Sequence, residues 1–554
     1  MEDNITSSDY IVIGGGITGC TVASRLHRSS SSPSVTLIEA GPDPTGNPMV
    51  STVMGAFGLH NSELDWAYMT EPQRHLNNRV CYNAAGRALS GGSILNYGGW
   101  LRGDAADYDQ WSTIVKDDRW SYEGLLPFFK RSETFFDKRE GSGHHGFAGP
   151  IKIHSVSASD PNRRYPLREP VRAAWAELGV HKIDDINSGA PLGLSEFQES
   201  WLDGVRQPVA MAYSLAGVNV LTSTMVEKVI LDKRLGQNPM AVGVQLADGQ
   251  QLLARKEVII AAGTYRTPQI LMLSGLGPVS ELKKHNIAVV LDLEDVGQNF
   301  VDHFSLFQYW KLRHPEAGLA MGTPLWTNPA FFKGMPIDWS VAEAAPRNLL
   351  ATALAADGED VTDDHPQYCR PRCDIEYTVM YAPAGADIVS VDAPMDGTCI
   401  ATSVMLGLPT SRGAITLASS DPVARPIINP NYNATQADRV RLRAGVRRMI
   451  RLLYDTSHGK DMVTGELPPS GCSELSLTSS DEEIDDRVKR AGVNFFHAMG
   501  TAAMGKVVDA DLKVYGVENL RIVDASVLPV PISSHPQACL YAVAEQAADM
   551  ILHA

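Results

Sequence analysis

The sequence predicts an α/β fold, and three observations at its N-terminus carry that reading. Tyr10-Ile-Val-Ile13 is a short apolar run suited to a buried parallel strand. Gly14, Gly15, Gly16 and Gly19 follow it at once and open the segment Cys20 to Arg28, where Val22, Ala23 and Leu26 fall at helical spacing. Beyond a serine-rich loop closed by Pro33, Val35-Thr-Leu-Ile38 reads as a second strand with Glu39 at its end. Strand, glycine turn, helix and strand make one βαβ unit.

The later elements are read in the same way. Residues 86–96 form a second glycine cluster, and the Pro-, Gly- and His-rich stretch 141–166 reads as a loop or boundary. Val226–Leu231, Ala241–Leu246 and Glu257–Ala261 read as strands, with Asp248-Gly249 as a hairpin turn. Thr267-Pro268 reads as a helix start, threonine capping and proline first. Periodicity is poorest from about 310 to 400, where the acidic, proline-containing piece 357–374 is expected to be an exposed loop, conceivably over a site. Leu520–Val523 reads as a strand running into Asp-Ala-Ser, and Ala538 to Leu552 as an amphipathic helix.

Composition narrows the classes. The chain has 554 residues, two to four domains' worth at roughly 150 residues each. A net charge of −16 argues against a nucleic-acid or anionic-membrane partner. Apolar residues at 44% and charged residues at 20% exclude a mostly disordered chain. Seven cysteines without a C-x-x-C pair argue against a disulfide framework or zinc ribbon, and no metal is expected. The polar N-terminus has no signal-peptide pattern, and no run approaches the roughly 18 apolar residues of a membrane span. The expectation is a soluble, reduced, cytoplasmic protein whose sequons at Asn4 and Asn433 are idle. His144-His145 lacks metal spacing, Ser274 is not in a G-x-S-x-G elbow, and Cys369 and Cys373 read as incidental thiols. Trp100, Trp111, Trp120 and Trp201 read as packing residues.

Two constellations carry chemistry. Gly14-x-Gly16-x-x-Gly19 lets a pyrophosphate approach backbone N–H groups at a helix N-terminus. Glu39, twenty residues after Gly19, can accept bonds from a ribose hydroxyl, so the unit reads as a dinucleotide site, with an alternative of a ligand-free turn. Ala262-Gly263 after a strand fits a second close approach or simply a tight connection. His497 and His535 sit among small residues and turn formers, and an imidazole there could take a hydroxyl proton. Taken singly, such a histidine is more often structural.

Four separated motifs give the chain a family likeness. Gly14–Glu39 is similar to the FAD fingerprint of the glucose–methanol–choline (GMC) oxidoreductases. Residues 86–96 resemble that family's first signature and 263–277 its second. Val296-Gly-Gln-Asn-Phe-Val-Asp-His303 resembles V-G-x-N-L-x-D-H, and 497–549 resembles the C-terminal block. The resemblance implies a Rossmann-like FAD domain from residues 1–155, 215–310 and 485–554, and a substrate domain of 156–214 and 311–484 built on an antiparallel sheet with helices. It implies that Gly14, Gly16, Ile17, Thr18 and Gly19 hold the pyrophosphate and that Glu39 and Ala40 hold the adenosine ribose. Arg87, Gly91, Gly92, Ser93 and Asn96 would lie near the flavin, Val226 near the adenine, and Ala262, Gly263, Asp524, Ala525, Gln537 and Ala538 along the rest. Ser90 stands where the signature has glycine, so a slightly altered backbone is expected. Leu95 stands where members with covalent flavin carry histidine, so the FAD is expected to be non-covalent.

The same resemblance implies that His497 takes the alcohol proton and His535 holds the oxygen while hydride passes to flavin N5. The partner would be a small alcohol, with O₂ or another acceptor taking the electrons. Oxidase activity is expected over a quinone-type dehydrogenase, and a hydroxynitrile lyase or a non-catalytic flavin scaffold are the readings from other classes. Phe495 and Phe496 point to an apolar pocket, hence to a primary alcohol on an aromatic or secondary-metabolite-like molecule.

Overall fold

The computed structural model describes residues 7–137, 142–233 and 236–553. Two seven-stranded sheets organise the chain. In the first, Ser7–Ile13 lies parallel between Val35–Ile38 and Gln251–Ile260, and Asn219–Leu221 extends it beside Val35–Ile38. Val35–Ile38 and the second half of Ser7–Ile13 are buried on both faces, as parallel strands covered by helices must be. Gln251–Ile260 serves two arrangements. Its first half pairs antiparallel with Met240–Leu246, which pairs with Val226–Asp232, and its last residues pair parallel with Leu520–Ile522. The turn between Met240–Leu246 and Gln251–Ile260 has Gly249 at φ +88, a left-handed position suited to glycine.

The second sheet is antiparallel. Its strands run in the order Val463–Leu467, Phe304–Leu312, Cys399–Leu406, Ile375–Met380, Ile337–Glu343, Gly193–Glu196, with Gly492–Asn494 also paired to Phe304–Leu312. Every residue of Ile375–Met380 and Cys399–Leu406 is buried. A strand covered on both faces has no solvent side to write into the sequence, so residues 310–400 carry little of the alternation that marks a half-exposed strand. Helix Gln436–Tyr454 covers one face, and Gly445 within it lets the helix approach Val404. The other face of Ile375–Met380 turns Glu376, Thr378 and Met380 toward the interior cavity described below.

Several expectations change. The helix read from Thr267 starts at Gly263 and runs to Leu273, with Pro268 inside it. Proline has no N–H for the carbonyl four residues earlier. Here that carbonyl, Thr264 O, accepts the Thr501 hydroxyl at 2.7 Å, so the helix continues through the proline. The C-terminal helix Pro536–Leu552 is buried on nearly every side and so is not amphipathic. The 142–166 stretch is not all loop: Ile151–Ser155 is a strand paired with Glu133–Phe135 and Gln198–Glu199. None of residues 357–374 lines the cavity. Asp357 accepts from the N–H groups of Gln436 and Ala437, while Arg372 and Asp374 are buried against Asp107 and Arg441.

Other residues fall where expected. Trp100, Trp111, Trp120 and Trp201 are buried, and Ser274 bonds Ile270 O and Val229 N–H. Cys369 is exposed and Cys373 buried, both free thiols. His145 is buried against Glu133 and Asp185; burial opposes its charge, but the two carboxylates hold it protonated above the ordinary range. Asn433 is 2% exposed, which leaves no room for a glycan, and Asn4 lies outside the described residues. Among the described residues no helix is long and apolar enough to cross a membrane.

The Pro268 arrangement is testable. Thr501→Val keeps the shape and removes the donor, leaving a buried carbonyl unpaired, and is expected to cost about 1–3 kcal/mol of stability. The flavin-loaded protein should melt at a lower temperature; an unchanged midpoint would show that Thr264 O needs no partner.

Candidate active site

One cavity of ≈ 410 Å³ runs between the two sheets. At one end lies the turn after Ser7–Ile13. Gly14 has φ +104 and its missing Cβ would strike Ala261 O, so the backbones of the first and central strands close on each other only through glycine. Gly16 has open space where a Cβ would stand, facing the cavity at the start of helix Ile17–His27. Glu39 accepts the N–H of Gly15 at 2.8 Å and of Gly41 at 2.7 Å. Burial pushes its carboxyl up to about 7, against the pull of those N–H groups and of Arg87.

The second glycine cluster packs on the first. Gly91 has φ +50, and a Cβ there would lie 2.7 Å from Gly16 Cα. Ser90 has φ +90, a conformation that favours glycine and is strained for serine. Its N–H bonds Gly15 O at 2.7 Å and its hydroxyl accepts from Ala210 N–H at 3.1 Å. Asp524 ties its own turn to the start of helix Gly263–Leu273: it accepts from Gly263 N–H at 2.9 Å, Thr267 Oγ1 at 2.6 Å and Ser526 N–H at 2.8 Å.

Gly14, Gly16, Ile17, Thr18, Glu39, Ala40, Gly91, Gly92, Asn96, Val226, Ala262, Gly263, Asp524, Ala525 and Gln537 all line this cavity. Four expected residues do not. Gly19 packs against Gly14 O beneath the turn, and Arg87 lies over the Trp66 ring at 5.1 Å. Ser93 bonds Ser90 O and Val209 N–H, and Ala538 is fully buried in the first turn of the last helix. A glycine-lined cleft ending at two helix N-termini with a carboxylate behind it suits a long dinucleotide.

At the other end stand the histidines. His497 and His535 have ring centroids 4.9 Å apart, with Phe495 5.3 and 5.6 Å from them. His535 caps helix Pro536–Leu552, where Pro536 fits the first position. Gly99 gives its ring room, since a Cβ there would lie 3.0 Å from His535 Nδ1. Glu376 Oε2 lies 3.3 Å from His535 Nε2. Burial works against the Glu376 charge, yet His535 and the Ser340 hydroxyl hold its carboxyl below the ordinary value. Asp302 fixes the main chain by accepting His497 N–H at 2.7 Å; burial raises its carboxyl to about 7.

Phe496 has φ +60, a strained position for an aromatic residue. The kink puts Phe495 and Phe496 both on the cavity, where an extended strand would turn alternate residues away.

A third histidine had no assigned role in the sequence. His303 Nε2 lies 2.8 Å from Ile532 O, and His303 Nδ1 lies 2.8 Å from His497 Nδ1. A carbonyl only accepts, so Nε2 of His303 carries its proton and Nδ1 accepts one from His497 Nδ1. His497 Nε2 is then left bare. Burial first, then the neighbouring His535 and His303, push the His497 pKa well below the ordinary range; burial and His535 lower His303 to about 4. His303 was legible only as the end of a motif, because its meaning lies in two contacts with residues 194 and 229 positions away.

Comparison with known proteins agrees with this geometry. Residues 8–305 and 409–544 match the two sequence profiles described as GMC oxidoreductase. The chain is 43% identical over 544 residues to the GMC-type oxidoreductase acuG of Aspergillus aculeatus, covering 98% of this chain and 99% of that protein. It is 30% identical to an alcohol dehydrogenase [acceptor] of Pseudomonas putida, over 98% of this chain and 95% of that one. Formate oxidase of Aspergillus oryzae RIB40, solved in a study of its FAD modification, superposes with TM-score 0.87 at 29% identity, covering 99% and 98% of the two chains. The chain therefore belongs to the GMC oxidoreductase family and is an FAD-dependent oxidoreductase.

Proposed function

We propose that the protein oxidises a primary alcohol to the carbonyl, with His497 as the base. The observation that carries this reading is the bare Nε2 of a half-buried, neutral His497 beside His535 on the cavity. The FAD, when bound, supplies the hydride acceptor. The chain supplies the rest. His497 Nε2 takes the hydroxyl proton, and His303 keeps that nitrogen unprotonated and in place. His535, backed by the Glu376 carboxylate, holds the substrate oxygen and fixes the orientation of its carbon. Phe197, Phe307, Ile337, Met380, Phe495 and Phe496 exclude water and favour an apolar, aromatic body.

The sheets support a division into an FAD part, 1–155, 215–310 and 485–554, and a substrate part, 156–214 and 311–484, with Phe304–Leu312 and Gly492–Asn494 contributing strands to the second sheet. Electrons are proposed to pass to O₂, as the oxidase name of the formate-acting relative supports. The alcohol dehydrogenase [acceptor] relative supports the second reading, a different acceptor. Admitting air to substrate-reduced enzyme separates them: fast reoxidation with H₂O₂ marks an oxidase, and a persistently reduced flavin marks a dehydrogenase.

The FAD is proposed to be non-covalent. Leu95 lines the cavity and has no nucleophilic atom to offer, and among the described residues no cysteine lines it. Acid precipitation should leave a colourless pellet under a yellow supernatant; a yellow pellet would overturn this.

The base assignment makes two further predictions. His497→Ala should slow anaerobic flavin reduction by on the order of 10²-fold or more, and a rate within tenfold of the parent would remove His497 from the role. Because its pKa is depressed, His497 stays unprotonated as pH falls, so the reduction rate should hold its plateau below the ordinary histidine value of about 6.5 and decline only further into acid. The facing groups are His303, His535 and the carboxylates Asp302 and Glu376. His303→Leu should lower the plateau and displace that acid limb; a parental rate and limb would show that His303 sets nothing.

A further inference from the structure

Besides the histidine pair the cavity carries a second polar station. His60 and Tyr97 both line it, among walls that are otherwise mostly apolar. Tyr97 Oη lies 3.2 Å from His60 Nε2, and His60 Nδ1 lies 3.1 Å from Tyr82 Oη. The Tyr82 hydroxyl closes on Asp65 Oδ2. Four side chains thus form one hydrogen-bonded row from the cavity wall inward.

Its direction follows from the Asp65 end. Asp65 Oδ1 accepts the N–H groups of Ala67 and Ala85, each at 2.9 Å, and Oδ2 accepts that of Asn61 at 2.9 Å as well as Tyr82. A carboxylate so surrounded only accepts, so Tyr82 donates to it. The Tyr82 oxygen therefore receives His60 Nδ1–H, together with Asn61 N–H at 3.3 Å. Burial lowers the His60 pKa, which keeps the ring neutral and its Nε2 bare, so Tyr97 donates to Nε2. Burial likewise raises the Tyr97 phenol to about 12, so it stays protonated. The row ends on a phenolic oxygen whose proton is already committed inward. Among the described residues nothing donates to that oxygen, so what it offers the cavity is an acceptor.

The loop that carries Asp65 is already held by three backbone N–H groups, so Tyr97 is not needed to anchor it. We propose that Tyr97 Oη receives a second hydroxyl of the substrate, separate from the carbinol that His497 deprotonates. The substrate class is then an aromatic alcohol bearing a further hydroxyl. This rests on the alcohol-oxidising reading above.

The test uses the FAD-loaded enzyme and its Tyr97→Phe variant. Anaerobic flavin reduction is measured with benzyl alcohol and with 2-, 3- and 4-hydroxybenzyl alcohol. In parallel, binding of phenol and of toluene is read from perturbation of the oxidised flavin spectrum. At least one hydroxybenzyl alcohol should exceed benzyl alcohol in kcat/KM by roughly tenfold, the worth of one good hydrogen bond, and the ratio should fall to near one in Tyr97→Phe. Phenol should bind more tightly than toluene to the parent and not to the variant. No hydroxylated preference in the parent, or one that survives Tyr97→Phe, overturns the inference. Failure of every alcohol to reduce the flavin, while the variant still loses its phenol preference, fails the alcohol-oxidising reading and supports the acceptor role of Tyr97.

Discussion

Three stretches of main chain meet at the first turn of the molecule with almost no side chain between them. Gly14 closes on Ala261, Gly19 on Gly14, and Gly91 on Gly16. Everything else is arranged around that close packing of backbone. It brings the N-terminal, central and second-glycine segments to one edge of the cleft, leaves the mouth of helix Ile17–His27 open, and lets Glu39 take two N–H groups at once. A methyl group at any of the three contacts would push apart segments whose spacing the rest of the site inherits.

The polar chemistry is set by burial in opposite senses. At the nucleotide end burial raises Glu39 and Asp524, which are then steadied by backbone N–H groups. At the histidine end burial lowers His497 and His303, and hydrogen bonds decide which nitrogen of each carries the proton. Asp302 bridges these themes: it is a buried acid that holds the main chain of His497. The strained Phe496 belongs to the same design, because its kink places aromatic rings beside both His60 and His497.

Much of the first sheet and of the nucleotide cleft is legible in the sequence, because its signals are local. A glycine turn after an apolar strand, and an acid at the end of the next one, declare themselves within forty residues. The second sheet is not legible, because strands such as Cys399–Leu406 are covered on both faces and carry no alternation. The Pro268 helix misleads for a related reason. Thr267-Pro268 has the form of a helix start, and the hydroxyl that permits a proline inside the helix comes from Thr501, far along the chain. Arg87, Ser93 and Ala538 lie in the right motifs yet off the cavity wall, since successive residues of a loop or a helix turn face different ways. His303 and the row from Tyr97 to Asp65 depend on contacts across the fold and leave no pattern in any one segment.

The bond from His303 to Ile532 O has one more consequence. A row of side chains that ends on water or on a carboxylate can pass a proton outward, but a peptide carbonyl cannot take one up. The row behind His497 is therefore a blind alley for charge. With His497 as the base, the proton it captures has no rear exit and must depart through the same chamber by which the alcohol entered. Turnover then includes a traffic problem: the ring cannot be emptied until product or water gives its proton a way past the aromatic walls.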